Sequence, residues 1–192
     1  MKAMHSSPAE IPEPRLARFL WSDTRMGWVW LVLRLYVGYQ WIEAGWGKLT
    51  GSGWVGAQAG TALQGFLAGV AQKTTGAHPD VSSWYAWFIS AGALHHPALL
   101  SYIVTYGELA VGIALILGAF TGIAAFFGAF MNVNYLFAGA LSINPLLLVI
   151  EFLLMLAWRN AGWFGLDRWL LSWLGVPWMP GKNPLKGLKI EV

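Results

Sequence analysis

The chain contains no cysteine and few charged residues, and each shortage excludes a class of protein. Without cysteine there is no disulfide, no thiolate nucleophile and no cysteine-bound iron–sulfur cluster. Charged residues make up 11% of the 192 residues, against a usual share of about 25%, and 57% are apolar. So few charges cannot cover the surface of a soluble domain of this size. The composition therefore indicates an integral membrane protein, and the net charge of +3 is too weak for nucleic-acid binding.

Histidine is also scarce, and its positions argue against common cofactor sites. The four histidines, His5, His78, His95 and His96, all lie outside the long apolar runs of the sequence. Haem held by two histidines inside a helical bundle is therefore excluded. The adjacent pair His95 and His96 would point apart on a helix, which makes it a poor metal site. We expect no haem, no iron–sulfur cluster and no metal.

Four apolar runs predict four membrane-spanning helices. They cover about residues 28–47, 98–120, 122–141 and 144–160. A helix of about 20 residues crosses the ~30 Å hydrocarbon core, and the fourth run is the shortest of the four. Tight turns join the last three helices, so these must be antiparallel neighbours. The predicted fold is all-α, a polytopic integral membrane four-helix bundle.

Apolar residues at helical spacing also occur outside the predicted spans. In the long link between the first two spans they are Ala59, Leu63, Phe66, Leu67 and Val70, followed by Trp84, Trp87, Phe88 and Ala91. We interpret both stretches as interfacial helices in the first extracytoplasmic loop, with a lid over a site between the helices as the alternative. After the fourth span, the stretch from Trp163 to Leu174 predicts an amphipathic helix on the inner leaflet.

The distribution of basic residues predicts the domain organisation and the orientation. Four basic residues precede the first span, five follow the fourth and two lie in the long link. The positive-inside rule therefore places both termini in the cytoplasm. We predict a cytoplasmic N-terminal arm over residues 1–26, with a short interfacial helix around Leu16–Trp21. A four-span membrane domain over residues 27–175 and a cytoplasmic tail over residues 176–192 follow.

Charged residues inside the predicted spans are the unusual feature of this sequence. They are Arg34, Glu43, Glu108 and Glu151, and each is unfavourable at membrane depth unless it is paired, hydrated or neutralised. Arg34 and Glu43 lie about 180° apart on one helix and cannot pair there. Arg34 must therefore find Glu108 or Glu151 on another helix, or reach the inner surface. Because one base cannot balance three carboxylates, we expect Glu108 or Glu151 to carry a proton at neutral pH.

Two amides, Asn132 and Asn134, lie at a depth similar to that of Glu108 and Glu151. We expect these four side chains to face one another, because facing lipid would leave them unpaired. Candidate aromatic neighbours are Trp41, Tyr106, Tyr135 and Trp158. We interpret the cluster as a site for a quinone, a proton or a small substrate. The alternative is that its polar contacts only hold the helices together.

The candidate residues can be sorted by predicted role. Candidate catalytic residues are Glu108, Glu151 and Arg34. Candidate cofactor-binding residues are Arg34, Trp41, Glu108, Asn132, Asn134 and Tyr135. Lys48 and Glu43, which could interact at the outer boundary, are candidate substrate-binding residues. The first predicted span has one stripe that contains Arg34, Gly38, Trp41, Gly45 and Lys48.

Several motifs resemble a known family. The pattern R-L-x-x-G-x-x-W-x-x-A-G-x-x-K-L, from Arg34 to Leu49, resembles the first-span signature of the DoxX/DoxD family of small four-helix membrane proteins. The stretch G-E-L-A-V-G-I-A-L-I-L-G-A-F-T, from Gly107 to Thr121, resembles the second-span motif. The run N-V-N-Y-L-F-A-G, an Asn-Pro step and a G-L-D triplet are similar to later elements, so that the resemblance covers roughly residues 28–170.

The resemblance implies a function and an environment. DoxD-like members are membrane subunits of a thiosulfate:quinone oxidoreductase, which passes electrons to the quinone pool. The implied partners are a quinone, the lipid bilayer of a bacterial or archaeal plasma membrane and a partner redox subunit, with self-association as a further option. Thiosulfate is a dianion and the chain has no thiol to bind its sulfur, so we expect a quinone-facing subunit that relies on a partner for the sulfur chemistry.

Two other functions compete with this interpretation. The chain could be a non-catalytic membrane anchor or assembly component of a redox or oxidative-stress complex. It could also be a small proton-coupled transporter in which the midplane carboxylates carry protons.

Overall fold

All regular structure in the described part of the chain is helical, which confirms the all-α prediction. The computed structural model describes residues 13–92 and 95–176, so residues 1–12 of the predicted arm and nearly all of the predicted tail lie outside the described residues. The helices are α1 (Arg15–Ser22), α2 (Gly27–Thr50), α3 (Thr61–Gln72), α4 (Ser83–Ala91), α5 (Pro97–Leu117), α6 (Thr121–Phe137), α7 (Asn144–Leu156), α8 (Trp158–Ala161) and α9 (Asp167–Trp173). Short 3-10 turns lie at Thr24–Met26 and Gly56–Gln58.

The four predicted spans coincide with α2, α5, α6 and α7, but the helix ends differ from the predicted ones. The second ends at Leu117 because Gly118 adopts a left-handed conformation with φ of 65°. The third ends at Phe137, and the fourth ends at Leu156 and is followed by the separate turn of α8. With 13 residues, α7 is much shorter than α5 with 21.

Length and apolar composition single out α5 among the described helices. It is long and apolar enough to cross a membrane, whereas α6 and α7 are apolar but shorter. α2 has 24 residues but carries Arg34, Glu43 and Lys48. The prediction of four spans is therefore supported directly by the length and composition of one described helix.

The most extensive helix–helix contact lies between α2 and α5, and glycine makes it possible. A Cβ atom on Gly45 would lie 2.9 Å from the backbone nitrogen of Leu109, and one on Gly112 would lie 2.8 Å from that of Ile42. Both distances are too short for real carbon atoms, so a larger residue would push the helices apart. This seam fixes the register of α2 against α5, and the register decides which side chains can meet across it.

Two apolar clusters hold the described helices together. The main core draws on α2, α5, α6, α7 and α8, and it contains Trp30, Val37, Trp41, Val111, Leu115, Ala124, Ala125, Leu147, Ile150, Leu154, Ala157 and Ala161. The second cluster joins α3 and α4 to the end of α6, and it contains Leu63, Leu67, Val70, Val81, Tyr85, Ile89 and Ala138. The link between α2 and α5 is therefore packed onto the rest of the structure.

The two helices of the link use their predicted faces differently. In α3 the predicted face is buried, as Leu63, Leu67 and Val70 show. In α4 the predicted aromatic face is directed outward, and Trp84 and Trp87 are 58% and 70% exposed. Outward aromatic side chains suit the boundary between lipid and water, where their rings and polar edges are both accommodated.

The helices near the two ends of the described chain are short. α1 coincides with the helix predicted around Leu16–Trp21. Of the C-terminal amphipathic helix predicted from Trp163 to Leu174, the part from Asp167 to Trp173 is helical as α9, and α8 precedes the predicted stretch. In α9, Asp167 and Leu171 are buried while Trp169 and Trp173 are exposed.

Candidate functional site

Arg34 lies at the end of the structure where α5 turns into α6, here called the turn end. Its guanidinium donates hydrogen bonds to the carbonyl oxygens of Leu115 at 2.6 Å, Ile116 at 3.1 Å and Phe164 at 3.2 Å. The last carbonyls of a helix have no partner within the helix, so a buried cation there satisfies them and complements the helix dipole. Arg34 therefore caps the end of α5.

This placement corrects the pairing predicted for Arg34. Glu108 precedes Leu115 by two helical turns, which is about 10 Å along α5, so the guanidinium at Leu115 cannot reach it. Glu151 also has other partners. The prediction that Arg34 pairs with one of these two glutamates is wrong, because the carbonyls at the end of α5 are closer to it. Arg34 therefore takes no part in the polar groups around Glu108 and Glu151.

Asp167 is a buried acid that the sequence analysis did not propose as a functional residue. Its carboxylate accepts hydrogen bonds from the backbone N–H of Phe120 at 2.5 Å and of Thr121 at 2.8 Å, at the start of α6. An acid in this position satisfies N–H groups that lack a helical partner and complements the positive end of the dipole. The G-L-D triplet that ends at Asp167, which is similar to a later element of the family, is the sequence feature that could have drawn attention to this residue. At the turn end, α5 and α6 are thus capped by two charges from distant parts of the chain.

Glu108, near the middle of α5, forms a polar group with Lys48 and Tyr135, which lie near the ends of α2 and α6 on the side where the link between α2 and α5 packs. The Lys48 ammonium donates to both carboxylate oxygens of Glu108, at 2.9 and 2.8 Å, and the Tyr135 hydroxyl donates to one of them at 2.5 Å. Glu108 is fully buried. The ammonium also lies 5.1 Å from the ring centre of Trp54 and 5.9 Å from that of Tyr135, so aromatic faces flank it.

A cavity of about 500 Å³ opens beside this polar group, a volume typical of sites for small organic molecules. The lining residues come from α2, α3, α5, α6, α7 and the loops between them, and they include Trp41, Glu43, Lys48, Trp54, Leu63, Phe66, Glu108 and Tyr135. Because Trp54, Leu63 and Phe66 belong to the link or to α3, the link covers part of the cavity.

Glu43 contributes an exposed carboxylate to the lining of this cavity. The contact predicted between Glu43 and Lys48 is replaced by the pairing of Lys48 with Glu108, because the buried carboxylate is the stronger partner in a low-dielectric setting. Both predicted substrate-binding residues nevertheless line the same cavity.

Glu151 belongs to a second polar group, which has no cation among its hydrogen-bond partners. Its two carboxylate oxygens accept hydrogen bonds from Trp41 Nε1 and from Asn132 Nδ2, both at 2.6 Å. The side-chain oxygen of Asn132 is buried and has no hydrogen-bond partner among the described residues. A Cβ atom on Gly128 would lie 2.5 Å from the Glu151 carboxylate, so glycine is needed there. The predicted meeting of Glu151 with Asn132 is therefore observed.

Trp41 connects the two polar groups. Its ring lines the cavity and lies 6.4 Å from the ring of Tyr135, while its N–H donates to Glu151. The single cluster predicted from helix depths is therefore two groups, one at the cavity and one behind Trp41.

Asn134 does not join either group, because two residues along a helix correspond to about 200° of rotation from Asn132. It faces α4 instead. The Tyr85 hydroxyl donates to the Asn134 backbone oxygen at 2.9 Å and to its side-chain oxygen at 3.1 Å. Burial raises the pKa of the Tyr85 phenol, which keeps the hydroxyl protonated and able to donate. Asn134 thus holds the link against α6.

The two other predicted aromatic neighbours also lie elsewhere. Tyr106 is exposed and stacks on Tyr102, with ring centres 6.1 Å apart. Trp158 is 40% exposed and belongs to the turn end. Within residues 13–92 and 95–176, no group of three histidine, aspartate or glutamate side chains could hold a metal ion.

Comparison with known proteins gives a family and no individual relative. The family model described as DoxX matches residues 29–141, which is more than half of the chain. The matched segment runs from α2 through α6 and includes Lys48, Glu108, Asn132 and Tyr135. No curated protein and no solved structure matches the chain.

Proposed function

Because this chain belongs to the DoxX family, whose members are generally membrane proteins associated with oxidoreductase or stress functions, we propose that it is the quinone-facing membrane subunit of an oxidoreductase. The thiosulfate:quinone type is the specific activity that we propose. The lipid bilayer is the environment of the chain.

A four-span arrangement is part of this proposal. α2 and α5 are about 36 and 31 Å long at 1.5 Å per residue, which is enough for the hydrocarbon core. α6 and α7 are shorter, and α8 extends the latter. Large apolar side chains on the outer faces of these helices are exposed, among them Val32, Ile103, Phe130 and Val149. These faces suit contact with acyl chains, whereas Glu108 and Glu151 are directed inward.

The observation that carries the quinone assignment is the polar group at the cavity. A quinone head group is a flat ring with carbonyl acceptors. The cavity offers an ammonium donor on Lys48 and the aromatic faces of Trp41, Trp54 and Tyr135. A volume of about 500 Å³ is sufficient for such a ring.

The same cavity is poorly suited to thiosulfate. Lys48 is the cation among the residues that line it, its charge is balanced by Glu108, and Glu43 adds a further negative charge. A dianion would gain little there. We therefore propose that a partner subunit binds and oxidises the sulfur compound, and that its electrons reach the quinone with protons in equal number.

A binding measurement tests the quinone site. Purified full-length protein in detergent is titrated with menadione, a naphthoquinone, in a calorimeter. Trp54→Leu removes an aromatic face of the cavity and should weaken binding by about three- to tenfold, the effect of one aromatic contact. Trp87→Leu removes an exposed ring outside the cavity and should leave the affinity unchanged. Absence of binding, or equal losses in both variants, would overturn the quinone site and favour the anchor or assembly alternative.

A further inference from the structure

Glu108 depends for its counter-charge on the ammonium that a ligand in the cavity would also use. The Lys48 ammonium donates to both oxygens of Glu108, at 2.9 and 2.8 Å. The Lys48 side chain is 18% exposed and that of Glu108 is fully buried, so a ligand meets Lys48 first. The Tyr135 hydroxyl is the other hydrogen-bond donor to Glu108. Two of the three N–H groups of the ammonium are thus directed at Glu108, and a ligand acceptor that turns the ammonium towards the cavity competes with Glu108 for it.

No second base replaces Lys48 at Glu108 within the described residues. The titratable groups that face this position are Lys48 and Glu43 from α2, Tyr135 from α6 and, behind Trp41, Glu151 from α7. Tyr135 is neutral as a donor and the two glutamates are acids. Arg34 is about 10 Å further along α5, where it is bound to backbone carbonyls.

We infer that binding of a carbonyl-bearing acceptor in the cavity is coupled to the uptake of one proton by Glu108. When the Lys48 ammonium turns to the carbonyl oxygen of the ligand, the Glu108 carboxylate is left buried with one neutral donor. An unpaired buried charge is strongly unfavourable, and a carboxylate removes it by taking a proton. One O–H bond forms on Glu108, the proton comes from solvent, and Lys48 stays charged.

This inference rests on the proposed function and adds the proton chemistry of the same site. A neutral Glu108 beside the ligand holds one of the protons that reduction of a quinone consumes. Binding would thus load the site with a proton before any electron arrives. Glu151 takes no part in this step. Its donors, Trp41 and Asn132, are neutral whether or not a ligand is bound, so ligand binding does not change its counter-charge.

The test is a calorimetric titration of the full-length protein in detergent with menadione. Titrations in buffers of different ionisation enthalpy measure the protons taken up per ligand bound. We expect about one proton per ligand, and an affinity that weakens by up to about tenfold for each unit of rising pH. Menadione binding with no proton uptake would overturn this inference and leave the quinone site standing. Absence of menadione binding would overturn both.

Matched variants assign the proton to one of the two buried glutamates. Glu108→Gln should bind menadione without proton uptake, and Lys48→Met/Glu108→Gln removes both charges if the single variant does not fold. Glu151→Gln removes the other buried glutamate and should keep the uptake. Loss of the uptake in Glu151→Gln together with its retention in Glu108→Gln would overturn the inference.

Discussion

Lys48 and Glu108 show how the side chains of this protein depend on one another at the scale of single residues. Each would be isolated in an apolar surrounding without the other, and removal of either leaves a charge with no counter-charge. Attraction within the pair does not guarantee a net gain over two apolar residues, because both charges had to leave water. What the pair does determine is which variants the fold tolerates.

We predict a non-additive response when this ion pair is removed. Lys48→Met leaves the buried Glu108 unpaired and should lower the free energy of unfolding by about 3–5 kcal/mol. The double variant Lys48→Met/Glu108→Gln removes both charges and should be more stable than Lys48→Met alone. Thermal unfolding in detergent measures both effects. A double variant whose loss equals the sum of the two single losses would contradict the pairing.

The sequence was informative about which residues matter here and less so about their partners. The spacing of Arg34, Trp41 and Lys48 correctly placed them on one face of α2, and the structure directs that face inward. Their partners depend on the register of α2 against α5, which is set by contacts at Gly45 and Gly112 that helical spacing does not reveal. Asp167 was missed because it lies outside the predicted spans, where a charge is ordinary.

At the scale of elements, the close approach of α2 and α5 should depend on particular glycines. Gly45→Ala places a Cβ atom 2.9 Å from the backbone nitrogen of Leu109, and we expect a loss of about 1–3 kcal/mol in unfolding free energy. Gly47→Ala, two residues away on the same helix, meets no atom within 4 Å and should be neutral or stabilising by up to about 1 kcal/mol. Thermal unfolding distinguishes the two variants. Equal shifts of their unfolding temperatures would contradict the close contact between α2 and α5 at Gly45.

A second prediction at this scale concerns the connection between α5 and α6. Asp167→Ala removes the acceptor of two backbone N–H groups at the start of α6 and should cost about 1–2 kcal/mol, as the loss of a helix cap does. Asp80→Ala removes an exposed acid in the link and should change the unfolding temperature little. Similar unfolding temperatures for the two variants would show that Asp167 does not cap α6.

The existence of the main helices could be predicted, because in a membrane a long apolar run has few other ways to form hydrogen bonds to its backbone N–H and C=O groups. The ends of the helices could not, since they depend on local conformations such as the left-handed Gly118. Which residues of α4 are buried also escaped prediction. Helical spacing shows that a face exists, and only packing against α3 and α6 decides that Tyr85 and Ile89 are the buried residues.

At the scale of the whole molecule, the family resemblance seen in the sequence is confirmed by the DoxX match over residues 29–141. The orientation in the membrane remains a prediction, and the absence of cysteine makes it straightforward to test. Single cysteines introduced at exposed positions report their own side of the membrane without background labelling.

We expect opposite labelling of two such positions. Thr75→Cys lies in the link and should react with a membrane-impermeant maleimide on intact cells. Ser172→Cys lies in α9 and should react only after the membrane is opened, because the positive-inside rule places that end in the cytoplasm. Both residues are exposed, so access is comparable. The reverse pattern would invert the orientation, and labelling of both on intact cells would contradict the three crossings predicted between them.

The shortness of α7 has a consequence for the surrounding lipid. Its 13 residues rise about 20 Å, whereas the 21 residues of α5 rise about 31 Å beside the same apolar core. Such hydrophobic mismatch is relieved by compressing or tilting the adjacent acyl chains. The bilayer should therefore be thinnest along α7, and the protein should sit asymmetrically, with a preference for shorter or more disordered lipids on that flank.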